Sequence, residues 1–204
     1  MSIGTLLPLA VVMVLGVQLV TAIFLVTSDN WVSNSLALLA GAAIPPIIIV
    51  SVAYIVLGGG TSSSGDKWIY WVVIAALVAA AIHVFLTRKT ATLPAWMGKL
   101  EDASPGFAFK IGLLLFGLFP PDILTSIAVG SALAAHGDPL WHGLIFIALA
   151  LLLLGLPFLS RLLFEKRAKV FLPKARNWMN SNSWIVNEFV LVFLTILAIH
   201  SLAG

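Results

Sequence analysis

Six long apolar stretches alternate with short polar breaks along the 204-residue chain. A helix needs about 20 apolar residues to cross a hydrocarbon layer of about 30 Å. The stretches are continuously apolar, whereas the strands of a membrane barrel alternate apolar and polar residues, so the pattern predicts helices. The predicted spans are 5–26, 34–57, 68–87, 108–135, 140–163 and 183–202.

Composition excludes a soluble fold. Charged residues make up 9% of the chain and hydrophobic residues 61%, whereas an average soluble domain has about 25% charged residues. The loops are too short to fold outside the membrane, so residues 1–204 are predicted to form a single all-α transmembrane domain. The absence of cysteine excludes disulfides and thiolate metal sites. Neither a nucleotide-binding nor a hydrolase motif occurs, so neither an enzyme nor a cofactor is predicted.

The positive charges predict how the chain lies in the membrane. Every lysine and arginine except Lys67 lies in or beside the connections between spans 3 and 4 and between spans 5 and 6. Positively charged loops stay in the cytoplasm, which makes the chain a multi-pass plasma-membrane protein with both termini outside. Topology therefore explains the net charge of +3, and nucleic acid is not a predicted partner.

The connection at 161–179 interleaves basic residues with apolar ones. This pattern is typical of an amphipathic segment that lies on the inner leaflet with its basic side near anionic headgroups. The alternative is a topology signal that binds no ligand. The cations predicted to contact headgroups are Lys166, Arg167, Lys169, Lys174 and Arg176.

The two halves of the chain show a weak internal repeat. Sliding span 1 along span 4 without gaps places Gln18 over Asp122 and Thr21 over Thr125. In the same comparison the helix-breaking prolines at 45–46 fall near residues 155–157. Halves with three spans each have opposite orientations, so the prediction is two inverted three-helix repeats with broken helices, at about 1–90 and about 104–204.

The repeat directs attention to Asp122, which follows Pro120 and Pro121 inside span 4. Two prolines remove two backbone donors and break a helix, and broken backbone in a membrane lines a site or a cavity. A carboxylate at mid-membrane costs about 3 kcal/mol and is a functional candidate by default. The alternative is an aspartate that only caps the half-helix. The residues predicted to line the site with Asp122 are Gln18, Thr21 and Thr125, beside Pro120 and Pro121. The alternative for these polar residues, and for Ser126, is hydrogen bonding between helices.

The turn between spans 4 and 5 contains His136, Asp138 and His142, three residue types that bind metals. A fourth ligand is not apparent, and the Gly137-Asp138-Pro139 turn accounts for Asp138 by itself. A metal site is therefore not predicted here.

Several short motifs resemble one known family. They are the runs at 94–97, 104–105, 120–124, 165–168 and 178–179, together with 34–41 and Pro45-Pro46 in the first half. They resemble the GAP family, the peptidoglycolipid or sulfolipid addressing proteins, which is similar to the lysine exporter superfamily. The resemblance implies six spans in two inverted repeats and outward movement of cell-surface lipids or small solutes. Where relatives often have Asn-Pro in span 4, this chain has Pro120-Pro121-Asp122.

The predicted function is export or translocation of a lipid or amphiphilic cell-envelope molecule. Asp122 would bind a substrate amine or couple transport to protons. One alternative is an exporter of a small amino acid or ion. Another is a membrane scaffold that transports nothing and assists a lipid-synthesis or export machine. Membrane lipids are the predicted partners, and a homo-oligomer or a larger complex is left open.

Overall fold

The computed structural model of the protein describes residues 3–57, 86, 99–100, 102–182, 185 and 192. Spans 3 and 6, predicted at 68–87 and 183–202, lie outside these residues apart from single positions. Within the described ranges the chain forms eight helices and no strand. They are α1 (Ile3–Val14), α2 (Val17–Thr27), α3 (Trp31–Leu57), α4 (Pro105–Leu118), α5 (Pro120–Ala135), α6 (His142–Leu154), α7 (Leu156–Leu163) and α8 (Glu165–Ser181).

Three of the predicted spans are bent pairs of helices. The bend is 62° between α1 and α2, 65° between α4 and α5, and 54° between α6 and α7. The stretch Trp31–Val56 of α3 is by itself long and apolar enough to cross a membrane. With each bent pair counted as one span, the described part of the chain holds up to four spans. The structure is therefore all-helical and membrane-compatible in its described residues.

The prediction that Pro45 and Pro46 break a helix is wrong. Both prolines lie inside α3, which is assigned as one continuous helix. Membrane helices tolerate proline where neighbouring elements support the backbone, and α3 packs extensively along α4 and α5. Pro45 lies beside Gly117 of α4, where an added Cβ would be 3.3 Å from the Pro45 ring. The predicted counterpart near residues 155–157 is a real bend, at Gly155 between α6 and α7.

The halves of the chain pack against each other reciprocally. From the first half, α3 packs along α4 and α5; from the second half, α6 packs on α1 and α7 packs on α2. The second span of each half thus lies against the broken span of the other half. Large side chains from both halves, among them Met13, Leu38, Phe116 and Phe146, are fully buried in the common core.

Many large apolar side chains point outward. Ile55 is 71% exposed on α3, Leu118 is 69% exposed on α4 and Leu124 is 64% exposed on α5. So many large exposed apolar side chains are unusual in soluble monomers. This exposed apolar surface is compatible with contact with hydrocarbon.

Asn34 ties the turn between α2 and α3 to the segment that precedes α4. Its side-chain amide donates to the Ser28 hydroxyl at 2.9 Å and to the Ala103 carbonyl at 2.8 Å. Asn34 is fully buried. Ser104, next in the chain, accepts a hydrogen bond from the Phe107 backbone at 3.3 Å and caps α4.

Glycines allow α3 to approach its neighbours closely. A Cβ at Gly41 would lie 2.2 Å from the Phe109 carbonyl oxygen of α4, and a Cβ at Gly112 would lie 2.5 Å from the Leu38 carbonyl oxygen of α3. A Cβ at Gly130 of α5 would lie 2.5 Å from the Val50 carbonyl oxygen. Small residues at such contacts let helix backbones meet, which is how membrane helices associate without a hydrophobic driving force.

We expect Gly112→Ala to lower the free energy of unfolding by about 2 kcal/mol, the usual cost of overpacking a close contact. Unfolding in mixed micelles with increasing dodecyl sulfate, followed by circular dichroism, measures this change. Gly106→Ala is the matched control, because a Cβ there meets nothing within 4 Å. Equal stability of the two variants would contradict the close contact between α3 and α4.

Candidate functional site at two helix breaks

The first break lies between α1 and α2. Gly16 separates the two helices. Its backbone has φ 102° and ψ −138°, a conformation that residues with a Cβ atom rarely adopt. Its carbonyl accepts the first helical hydrogen bond of α2, from the Val20 backbone at 3.2 Å. Gln18 is the second residue of α2 and therefore lies at the bend.

The second break lies between α4 and α5. Phe119 is extended, with φ −76° and ψ 118°, as expected for a residue that precedes proline. Pro120 and Pro121 open α5, where the missing backbone donors are not needed by the helix. Asp122 follows in the first turn, and its backbone N–H donates to the Phe119 carbonyl at 3.0 Å. The predicted break at the proline pair is thus present.

A buried hydrogen bond joins the two breaks. The Gln18 side-chain nitrogen Nε2 donates to Asp122 Oδ2 at 2.8 Å, across 104 residues of sequence. Both side chains are 1% exposed. The two residues that the internal repeat superposes in sequence therefore contact each other in space.

The two threonines of the predicted site occupy equivalent places. Thr21 donates its hydroxyl hydrogen to the Val17 carbonyl and Thr125 donates to the Pro121 carbonyl, each at 2.7 Å and each four residues back. Both side chains are buried. Because each hydroxyl hydrogen is donated within its own helix, only the two hydroxyl oxygens remain available, as acceptors, to the site.

Several acceptors at the breaks lack a donor. Asp122 Oδ1, Gln18 Oε1 and the Ser126 hydroxyl oxygen are buried and have no hydrogen-bond partner among the described residues. Asp122 also forms no ion pair within that part of the chain, where the ion pairs are His142 with Asp138 and Lys169 with Glu165. Buried polar atoms without partners are rare in native proteins. An amine or a hydroxyl would donate to Asp122 Oδ1 and Gln18 Oε1, whereas a proton on Asp122 would turn its carboxyl into a donor that needs an acceptor.

The turn between α5 and α6 does not bring His136, Asp138 and His142 together as three metal ligands. His136 Nδ1 lies 2.7 Å from the Ala132 carbonyl oxygen, and His142 Nδ1 lies 3.7 Å from Asp138 Oδ1. Among the described residues, histidine and acidic side chains do not come together in any group of three. The turn is closed instead by the Asp138 backbone N–H, which donates to the Leu133 carbonyl at 2.9 Å.

Four of the five predicted headgroup cations have described side chains on α8. Lys166, Arg167, Lys169 and Lys174 are all exposed. Lys169 pairs with Glu165 at 2.5 Å, and this hydrogen bond holds the pKa of Glu165 below its usual value. The fifth, Arg176, has its backbone in the same helix.

Arg161 is a structural residue that the sequence analysis missed. Its guanidinium donates to the Val26 carbonyl near the end of α2 and lies 4.5 Å above the Trp31 ring. Trp31 in turn packs against Phe158, with ring centroids 5.7 Å apart. The only signal in the sequence is one arginine at the end of an apolar stretch, which does not reveal a partner 135 residues away.

Apolar outer faces, broken helices and a buried polar pair between the breaks define a helical membrane protein with an internal polar site. The chain belongs to the Sap, sulfolipid-1-addressing protein, family, whose family model matches residues 6–201. The resemblance to the addressing proteins is therefore confirmed. No curated protein and no solved structure matches the chain. Membership indicates a role in lipid addressing or export at the cell envelope.

We expect Gln18→Leu to lower the free energy of unfolding by about 1–2 kcal/mol, because it leaves a buried carboxylate without its donor. The double variant Gln18→Leu with Asp122→Leu should recover most of this loss, since no orphaned polar group remains. Unfolding in mixed micelles measures both values as a double-mutant cycle.

Ser131→Ala is the control for this cycle, because the Ser131 hydroxyl donates to the Ile127 carbonyl of its own helix at 2.8 Å and does not bond to Gln18 or Asp122. If the double variant lost as much free energy of unfolding as the two single variants combined, the bond between Gln18 and Asp122 would be contradicted.

Proposed function

We propose that this protein is a membrane transporter that moves a lipid or amphiphilic cell-envelope molecule outward, with Gln18 and Asp122 at its central site. The observation that carries the proposal is the buried hydrogen bond between two helix breaks. Broken helices that meet at membrane depth are the usual way in which transporters build a polar site in hydrocarbon. The family name, which refers to addressing of a sulfolipid, supports a lipid as the cargo.

The architecture that we propose is six spans in two inverted three-helix repeats, with both termini outside the cell. Its support is the similarity of the halves. The first span of each bends by 62° or 65°, places one polar side chain in the first turn after the bend, and follows it with a threonine bonded four residues back. The reciprocal packing of the second spans agrees with such a repeat.

In the proposed mechanism Asp122 changes its partners during the transport cycle. It is bonded to Gln18 through Oδ2, while Oδ1 has no partner within the described chain. A substrate amine or a proton at Oδ1 removes the uncompensated charge, which lowers the cost of keeping this group in an apolar interior. The ligand thereby favours a different arrangement of the half-helices at the two breaks, and each break acts as a hinge.

A lateral groove favours a lipid over a small solute. It lies between α3 and α6, has a volume of about 230 Å³, and is lined mainly by apolar side chains that include Ile47, Val50, Leu144 and Ile147. Trp141 stands at its edge and is 57% exposed. An apolar groove between two helices suits part of an acyl chain, which supports a lipid as the cargo, whereas a carrier of small solutes needs a closed wall toward lipid.

We expect Asp122→Asn and Asp122→Ala to lower the initial transport rate at least tenfold, because both remove the charge that the ligand neutralises. The assay uses the full chain in proteoliposomes and follows movement of labelled envelope lipids between leaflets. In the proton-coupled form of the mechanism, the wild-type rate responds to an imposed pH gradient and the rate of Asp122→Asn does not.

Ser131→Ala should transport at the wild-type rate. Full activity of both Asp122 variants would overturn the role of this residue. A wild-type protein that moved amino acids or ions but no lipid would favour a solute exporter. A protein that moved nothing, yet purified in fixed ratio with a lipid synthase or exporter, would favour a scaffold.

A further inference from the structure

We propose that α8 binds the surface of an anionic lipid leaflet through one stripe of four side chains, Arg167, Phe171, Lys174 and Trp178. This stripe is called the α8 stripe below. The proposal rests on the membrane location of the protein and not on transport, so it can fail or succeed independently of the role of Asp122.

One face of α8 is docked on the protein. Ala168 and Leu172 are each 4% exposed and pack against Val26 of α2, with Trp31 and Phe158 beside them. Arg161, just before α8, holds the same end of α2 through the Val26 carbonyl. These contacts fix the rotation of α8 about its own axis and so decide which side chains face outward.

The α8 stripe lies about a quarter turn from the docked face. Its members are spaced four, three and four residues apart, and a helix turns by about 100° per residue, so all four fall on one side. Phe171 is 68% exposed and Trp178 is 52% exposed. Arg167 and Lys174, which alternate with them, are exposed as well.

The opposite flank of α8 is polar. It carries the ion pair of Glu165 with Lys169, and Lys166 lies near it, most of a half-turn from the docked face. The third side is mainly polar, with Val170 as an exposed apolar residue beside Asn177. A helix docked on one side, aromatic on the second and mainly polar on the third has the arrangement expected at a membrane surface. In this arrangement the rest of the protein contacts the docked face of α8, the bilayer contacts the α8 stripe, and water contacts the polar flank.

The chemistry of the α8 stripe selects an anionic lipid surface. Tryptophan and phenylalanine bury their rings at the headgroup boundary, and flanking cations attract anionic headgroups. Further exposed apolar side chains precede α8 at the end of α7 and in the connection to α8, where Leu162 is 57% exposed, Leu163 69% and Phe164 60%.

Of the five cations predicted from the sequence to contact headgroups, Lys166 and Lys169 do not belong to the α8 stripe. Lys169 is engaged by Glu165, and Lys166 lies on the polar flank. Arg167 and Lys174 are the cations with described side chains that flank the exposed aromatic rings.

The first experiment measures how deeply the α8 stripe lies. The chain contains no cysteine, so Phe171→Cys and Asn177→Cys each accept one spin label on the full protein. Asn177 is the control, since it is exposed and lies about a quarter turn from the centre of the α8 stripe, on the side of Lys166. In phosphatidylcholine bilayers that contain phosphatidylglycerol, we expect the label at 171 to be more accessible to oxygen than to a water-soluble nickel chelate. The label at 177 should show the reverse, and equal accessibility at both positions would overturn the proposal.

The second experiment tests the charges. In the Phe171→Cys protein, Arg167 and Lys174 are both replaced by glutamine. The ratio of membrane-bound to water-exposed label at 171 should fall about thirtyfold, because each cation near an anionic surface contributes about 1 kcal/mol. Replacing Lys166 and Lys169 with glutamine removes the same amount of charge, and the label at 171 should stay bound to the membrane. High salt or pure phosphatidylcholine should reproduce the effect of the first pair.

Two outcomes of the charge experiment would overturn the α8 stripe. One is an equal release by both double variants, which would show a diffuse positive surface. The other is a label that stays buried in pure phosphatidylcholine and becomes exposed only after removal of a co-purifying protein, which would show a protein partner. Size-exclusion chromatography of each variant confirms that the fold is retained.

Discussion

A buried carboxylate is stable only if the protein supplies its partners, and this constraint organises the described part of the chain. Asp122 takes its donor from Gln18, which lies on the other half of the sequence. To place these two side chains together, both first spans must break where they approach each other, and the halves must lie against each other. The bends, the extended Phe119 and the left-handed Gly16 are local solutions to that one requirement. Because each bend interrupts helical hydrogen bonding, the surrounding helices must hold it in place.

The helix α3 supplies much of that support. It runs unbroken past α4 and α5, and glycines on both sides of the contact bring the backbones together. Both half-helices of the second broken span therefore pack against one continuous helix. The helix α2 connects the site with α8. It carries Gln18 in its first turn, and its Val26 carbonyl near the other end accepts from Arg161. Val26 also packs against Ala168 and Leu172 of α8.

The sequence predicted features that depend on local chemistry or on similarity between the halves. The proline pair predicted the break before Asp122, and the superposition of span 1 on span 4 paired Gln18 with Asp122. Contacts distant in sequence were not predictable. Arg161 and Val26 are 135 residues apart, and nothing near either residue shows that they meet. The error at Pro45 and Pro46 has the same origin, because the effect of proline on a helix depends on what packs beside it. Helix limits shifted for local reasons, as at α4, which begins at Pro105 rather than 108 because Ser104 caps it.

Solid-state magnetic resonance in bilayers tests the central contact most directly. Gln18 is the only glutamine in the chain, and aspartate occurs at five positions. Protein labelled with ¹⁵N in the glutamine side chain and ¹³C in the aspartate carboxyl should show dipolar dephasing at one aspartate signal, which reflects the 2.8 Å bond from Gln18 Nε2 to Asp122 Oδ2. The dephasing should vanish in Asp122→Asn. Its absence from the unmodified protein, or its persistence in that variant, would contradict the meeting of the two helix breaks.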